Sequence, residues 1–392
     1  MHNLERQGER WSGTILPADE LPEDVLRFWA TLCEKQPHYR SPFFSPAFTR
    51  AVASVREDVY VCLLVRGGRL VGVLPFEFST PRARFLRVAE PVGADFNDFF
   101  GVLLEPNLEI SVRDLLRLAG LNGLWAMNLH QRQTVLGIIG HDRYPGSAIV
   151  YGPDPTAYWA QVRSENSHFT AQTERRERRL VKDHGPLRFR LHTDGLENVL
   201  EHLIDIKRDQ YRRTGVPDVM TPEWKRRLMH RLAQETDSQC VGTLSTVHAG
   251  DIWVASHLGL RHGPLLHYWF PVYNQDLSKY SPGHILIKQI VEQTPRAGIH
   301  EMDFGCGEGQ HKKSYVRETY WVYRDFWKGP GLSGAICGMS ECLQNPGYIK
   351  RRIKTFAKKA ARERVPESTR RWLKIQLSRY RNRQGTSSGI SE

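Results

Sequence analysis

The side chains able to do chemistry crowd into one stretch, Leu265 to Tyr315. It offers His267 and Tyr268, then Ser281-Pro282-Gly283-His284, then Asp303 ahead of the loop Gly305-Cys306-Gly307-Glu308-Gly309, then Lys312. A histidine and a tyrosine can move protons as base and acid, though a lone histidine on a strand is also commonly structural. A small-residue turn that opens a helix leaves unpaired backbone N–H groups aimed outward with a favourable dipole, which is a site for an anion. Asp303 stands at a strand end before glycine, where it either binds an amine or hydroxyl or caps its own turn. Glu308 and Lys312 share the following loop; a lysine there neutralises a phosphate or remains solvated. Outside the stretch, His257 is a further base candidate. Asp95 and Asp98 stand in the loop Gly93 to Phe99 as candidate substrate ligands. Their close spacing suits turn chemistry better than a glycosidase pair.

The elements that must position these groups alternate between helix and strand. Leu265–Tyr273 is apolar and aromatic, as a buried strand is, and Ile285, Leu286, Ile290 and Val291 keep helical spacing up to Pro295. His300–Phe304 reads as the next strand. Upstream, a helix is predicted over Leu21–Lys35, a second starts at Ser45-Pro46, and Trp11–Leu16 reads as an edge strand. A hairpin turns at Gly67-Gly68, and short strands lie within Val88–Asp98 and Phe99–Leu104 around the Asp95 loop. A helix at Ser111–Leu118 and a strand at Leu124–Leu129 follow, and residues 132–158 read as loop-rich. One charged helix is expected over Glu165–Asp183, laced by Glu174 and Glu177 with Arg178 and Lys182. Then come strand Leu187–His192, helix Leu196–Thr214, a helix near Pro222 and a second hairpin over Cys240–Leu260. The two hairpins share their order of apolar strand, glycine turn and apolar strand, which suggests two copies of one α/β unit. The expected organisation is therefore 1–160, 161–330 and a 331–392 linker and tail. The fold class is mixed α/β, α+β in its sheets.

Length and charge limit the function. At 392 residues the chain has room for two cores, and its net charge of +12 sits mostly after Tyr348, in a basic amphipathic tail. That tail suits an anionic membrane surface, an acidic partner or packing on the body, with nucleic acid a poorer third. The polar start and the lack of a long apolar run predict a cytoplasmic protein, peripheral to the membrane at most. The six cysteines lack zinc-ligand spacing and read as reduced thiols, so no metal is expected. There is no Gly-x-Ser-x-Gly, Walker, His-Glu-x-x-His or dinucleotide fingerprint, and the Asp303-Phe304-Gly305 triplet lacks the other kinase motifs.

The segments YSPGHILIKQIVEQ and GIHEMDFGCGEGQHKKSY resemble the second half of the CelD-like, or BioF2-like, branch of the GNAT acetyltransferase superfamily. SPFFSPAF, GGRLVGVLPF and GADFNDFFGVLL resemble first-half landmarks of that branch. His311 and Lys312 take the place of its Tyr-Lys pair. The superfamily's phosphate loop is matched at Gly283, with Ser278 and Ser281 at its earlier positions. The resemblance implies tandem GNAT-like domains with mixed sheets flanked by helices. It implies an acyltransferase that moves an acetyl group from acetyl-coenzyme A to an amine or hydroxyl of a sugar, sugar nucleotide or polysaccharide precursor, in exopolysaccharide or cellulose-type biosynthesis. In such an enzyme His257, His267, Tyr268 and Asp303 are the catalytic candidates. Ser281, Gly283, His284 and Lys312 would hold the donor, and Asp95, Asp98 and Glu308 the substrate. Two other readings stay open. One is a Fem-like aminoacyltransferase fed by aminoacyl-tRNA, which the basic tail would suit. The other is a non-catalytic scaffold of a polysaccharide-synthesis system, which the altered phosphate loop would suit.

Overall fold

The structure is a computed structural model, and it describes residues 2–6, 9–133, 142–193, 195–307, 313–331 and 334. Glu308, Lys312 and the basic tail lie outside the described residues, as do Cys337 and Cys342. The first strands are β1 His2–Arg6, β2 Glu9–Pro17, β3 Val59–Arg66, β4 Arg69–Glu77, β5 Val88–Ala89, β6 Leu103–Leu104 and β7 Gly123–His130. They are followed by β8 Asp142–Val150, β9 Leu187–Arg190, β10 Val241–Ala249, β11 Ile252–His262, β12 Leu265–Tyr273, β13 Glu301–Cys306 and β14 Glu318–Lys328. The helices are α1 Glu23–Lys35, α2 Pro46–Ala53, α3 Pro81–Leu86, α4 Val112–Leu118, α5 Thr156–Glu165, α6 Ser167–His184, α7 Leu196–Thr214, α8 Glu223–Ala233 and α9 Pro282–Gln293.

Two sheets result, each flanked by helices. The smaller runs β1-β2-β3-β4-β6, so β2 is an interior strand and β1 takes the edge that Trp11–Leu16 was expected to hold. The larger runs β5-β7-β14-β8-β13-β12-β11-β10-β9 and draws strands from both sides of residue 160. Among its pairs, β12 with β13 and β5 with β7 are parallel and the rest antiparallel.

Two interior strands differ from the sequence expectation. β8 lies within the segment read as loop-rich, because Pro145-Gly146 punctuates it. The glycine is required by a close approach: a Cβ at Gly146 would sit 2.2 Å from the Tyr320 ring of β14. β14 itself falls where no element was placed, yet it pairs with β8 on one side and β7 on the other. The charged helix is two helices, broken at Asn166, whose side chain caps α6 through the Phe169 N–H. Glu174 pairs with Arg178 as expected, but Glu177 reaches across to Lys288 at 2.7 Å.

The largest core joins the two halves of the chain. Trp29 and Phe48 from the first half share it with Leu203, Leu228 and Phe270 from the second. Phe43 is its pivot, with edge contacts to Phe48, Phe99, His267 and Trp269 at 4.8–6.1 Å. Truncating so enclosed an aromatic ring costs about 3–5 kcal/mol, so the halves hold each other through this ring. A second core lies under the smaller sheet, and a third packs α9 against β12 and β13.

Candidate active site

The site grows from two irregularities in β12. Its pairing with β13 covers Leu265, Leu266 and His267 opposite Glu301, Met302 and Asp303 and then ends, so the strands part. On its other edge, the register with β11 steps from Leu260 opposite His267 to Leu258 opposite Phe270. Tyr268 and Trp269 thus face the single Gly259. Such a bulge bends a strand and turns main-chain groups out of the ladder. Gly259 has no room for a side chain: a Cβ would lie 2.4 Å from the His257 ring and 2.6 Å from the His267 carbonyl oxygen.

After β12 the chain makes a 3₁₀ turn and enters α9 through Ser281, which holds a left-handed φ of 57°. Ser281 Oγ accepts from the Arg176 guanidinium. The start of α9 has fewer free donors than its sequence suggests. Pro282 has no N–H, and those of His284 and Ile285 turn back to the Ser281 carbonyl at 3.0 and 3.3 Å. A Cβ on Gly283 would meet nothing within 4 Å, so this turn is open. It faces a cavity of about 480 Å³ lined by Ser281, Gly283, His284, Tyr268 and Pro271, and by Lys207 of α7. Lys207 Nζ donates to the Pro271 carbonyl at 3.3 Å, and burial pulls its pKa down to about 8. It remains mainly a cation at neutral pH, and with the helix dipole it favours an anion. The expected donor residues Ser281, Gly283 and His284 therefore gather at one cavity. His284 also turns Nδ1 toward the Tyr315 hydroxyl at 2.9 Å.

On the opposite face of β12 lies a chain of acids and bases, since successive side chains of a strand alternate. His267 Nε2 is 2.6 Å from Asp98 Oδ2, and its Nδ1 is 3.9 Å from Asp303 Oδ1. A carboxylate only accepts, so the Nε2 N–H donates to Asp98, and Nδ1 has no hydrogen-bond partner among the described residues. Asp303 Oδ1 accepts from the Gly305 N–H and the Tyr320 hydroxyl, both at 2.6 Å. Burial raises the Asp303 pKa against the pull of His267 and these hydrogen bonds. Asp303 both closes its own turn and faces the cluster. A side chain at Gly305 would collide with Asp98 at 2.7 Å, and Gly305 has a φ of +66°, so glycine is required twice over.

The remaining candidates are placed apart. His257 is fully enclosed, with Nδ1 3.3 Å from Ser245 Oγ and its ring stacked on Tyr268 at 4.5 Å. Burial pushes its pKa down to about 3, so it is a neutral ring that backs Tyr268. Tyr268 presents to the α9 cavity, and burial raises its phenol pKa. Asp95 pairs with buried Lys225, whose ammonium lies 4.8 Å from the Phe96 ring, and so joins the first-half loop to α8. Three contributors were not singled out by sequence: Gly259, Tyr320 and Lys207. Only Lys207 carried a signal, as a lysine continuing the stripe of Leu200, Leu203 and Ile204.

Residues 168–313 match the family model described as an acetyltransferase (GNAT) domain. Among solved structures, FemX is similar with a TM-score of 0.50 at 9% identity, over 80% of this chain and 97% of that one. The C-terminal domain of a putative lysylphosphatidylglycerol synthetase from Agrobacterium fabrum scores 0.45 at 9% identity, over 82% and 96%. A tandem GNAT protein from the clavulanic acid biosynthesis pathway scores 0.42 at 13% identity, over 82% and 100%. No curated protein matches the chain. From α6 through β13, which includes the bulged strand and the opening of α9, the chain matches a GNAT acetyltransferase-type domain, and over 80% of its length it shares the fold of FemX.

Proposed function

We propose that this chain is an acyl-coenzyme A-dependent N- or O-acyltransferase of the CelD-like or BioF2-like kind. Its donor is acetyl-coenzyme A and its acceptor a sugar, sugar nucleotide or polysaccharide precursor in exopolysaccharide-type biosynthesis. The observation that carries the reading is the bulged β12 parting from β13 beside the cavity at the α9 start. The pyrophosphate would meet Lys207 and Gly283, and the thioester would lie in the strand gap. Main-chain N–H groups at the Tyr268–Trp269 bulge polarise the carbonyl there. The acceptor nitrogen or oxygen attacks that carbon, a C–N or C–O bond forms and the C–S bond breaks. The acceptor proton passes to Asp303 or the free Nδ1 of His267, and the departing thiolate takes a proton from Tyr268 or solvent.

The division at about residue 160 enters this proposal as a record of two related units, given that the larger sheet crosses it. The segment 348–392 is proposed to hold the enzyme at an anionic membrane face or a membrane synthase. No helix among the described residues is long and apolar enough to cross a membrane. A thermal-shift titration tests the reading. Acetyl-coenzyme A at a hundredfold excess over Kd should stabilise the fold by about 2.7 kcal/mol. Stabilisation by aminoacyl-tRNA alone would replace this reading with the Fem-like one, and no response to either would leave a binding protein.

A further inference from the structure

A second cavity, of about 430 Å³, opens between the two halves on the His267 face of β12. Its wall is aromatic. Phe99, His130 and Tyr320 touch one another with ring centroids 4.8–5.8 Å apart, and Phe44 leans on Phe99 at 6.5 Å. It has no surplus cation. Arg40 Nη2 donates to both oxygens of Glu301 at 2.9 Å, and Arg132 and Glu318 also line the cavity at its exposed rim. Burial lowers the pKa of His38, and that of His130 to about 4, so both are neutral donors and acceptors near pH 7. Asp303 lines this cavity too, which brings it to the strand gap.

The polar groups here are also under-used. His38 Nε2, Arg40 Nε and Ser41 Oγ are buried without a hydrogen-bond partner among the described residues. Each is a cost that a ligand with several hydroxyls can relieve after small side-chain rotations. A phosphorylated or otherwise polyanionic ligand finds no surplus cation, whereas the cavity beside α9 has one in Lys207. A flat aromatic wall opposite mixed donors and acceptors matches a ring with one C–H face and hydroxyls at its edge.

We propose that this inter-half cavity is the acceptor site and takes a neutral, hydroxyl-rich ring, a single sugar unit, between the Tyr320 wall and the Arg40–Ser41 edge. The word acceptor rests on the acyltransferase reading; the binding of the ring does not. Thr319 is an exposed β14 residue at the mouth of the cavity, where a tryptophan blocks entry without entering a core. The full chain, Thr319→Trp and Thr319→Val are compared by saturation-transfer NMR with D-glucose, D-glucosamine and glucose 1-phosphate as probes. Acetyl-coenzyme A binding is measured on the same samples. The expected result is saturation of D-glucose by the parent and Thr319→Val, at least about tenfold weaker in Thr319→Trp, a difference of about 1.4 kcal/mol. Acetyl-coenzyme A affinity should be equal in all three. No saturation of any ring, saturation that survives Thr319→Trp, or preference for the phosphorylated or the cationic ring would overturn the proposal. If D-glucose binds as expected while acetyl-coenzyme A does not bind at all, the cavity assignment stands and the acyltransferase reading fails. If the nucleotide binds and no ring does, the reverse holds.

Discussion

On one face of β12 the cavity beside α9 holds Lys207 and a helix start; on the other, the cavity between the halves has no surplus cation, with Arg40 held by Glu301. The first favours an anion through a cation and a dipole, and the second offers mixed donors and acceptors against aromatic rings. They lie back to back because neighbouring side chains of one strand, His267 and Tyr268, point to opposite faces. What joins them is the gap that opens past the His267–Asp303 pair. On the proposed function, strand alternation is what sorts the two ligand chemistries. A change on one face should therefore leave binding on the other intact.

The largest effect should come from the wall shared by both cavities. Gly259→Val forces a side chain into the His257 ring and the His267 carbonyl, and should cost about 3 kcal/mol in urea unfolding, with loss of both kinds of binding. A variant with the parental midpoint would show that the bulge tolerates a side chain at Gly259.

The two histidines separate chemistry from support. His267→Ala should lower kcat by about 10²-fold while acetyl-coenzyme A affinity is kept, whereas His257→Phe should leave kcat within about threefold. His257 should instead report on acid stability. Its folded pKa, near 3, lies below the ordinary value of 6.5, so the unfolded chain takes up a proton that the fold excludes. The stability is full above about pH 6.5 and is lost as the pH falls toward 3. Denaturation at pH 7 and pH 4 should show a smaller loss in His257→Phe than in the parent. An equal loss would place the acid sensitivity elsewhere.

The smallest effect is the most selective. Lys207→Ala should raise the acetyl-coenzyme A Kd about tenfold, or about 1.4 kcal/mol, and less at high salt. D-glucose binding should be untouched. A parallel loss of both would mean that the faces are coupled.

Much of the α9 side could be read from sequence. Leu265–Tyr273 is a run of apolar and aromatic residues, and Ser281-Pro282 and Pro295 bracket α9, so both elements lie where local pattern puts them. The side between the halves could not be read, for physical reasons. Asp98 and His267 meet across 169 positions, and Phe43 reaches His267 from still farther back, so no local spacing reveals them. β8 was hidden because Gly146 is there to make room for Tyr320, a contact that exists only once β14 has paired. His257 shows the converse case. A histidine on a strand near the gap has the composition of a base, but its burial makes it a filler behind Tyr268.

The insertion of β14 between β7 and β8 has a consequence for how the protein is made. While the ribosome is still short of Glu318, β7 and β8 each present a bare edge to solvent or to other nascent chains, and such edges are where misassembly begins. Synthesis must reach this last strand before the larger sheet can close. A gene truncated upstream of this strand should yield inclusion bodies in place of a working first half.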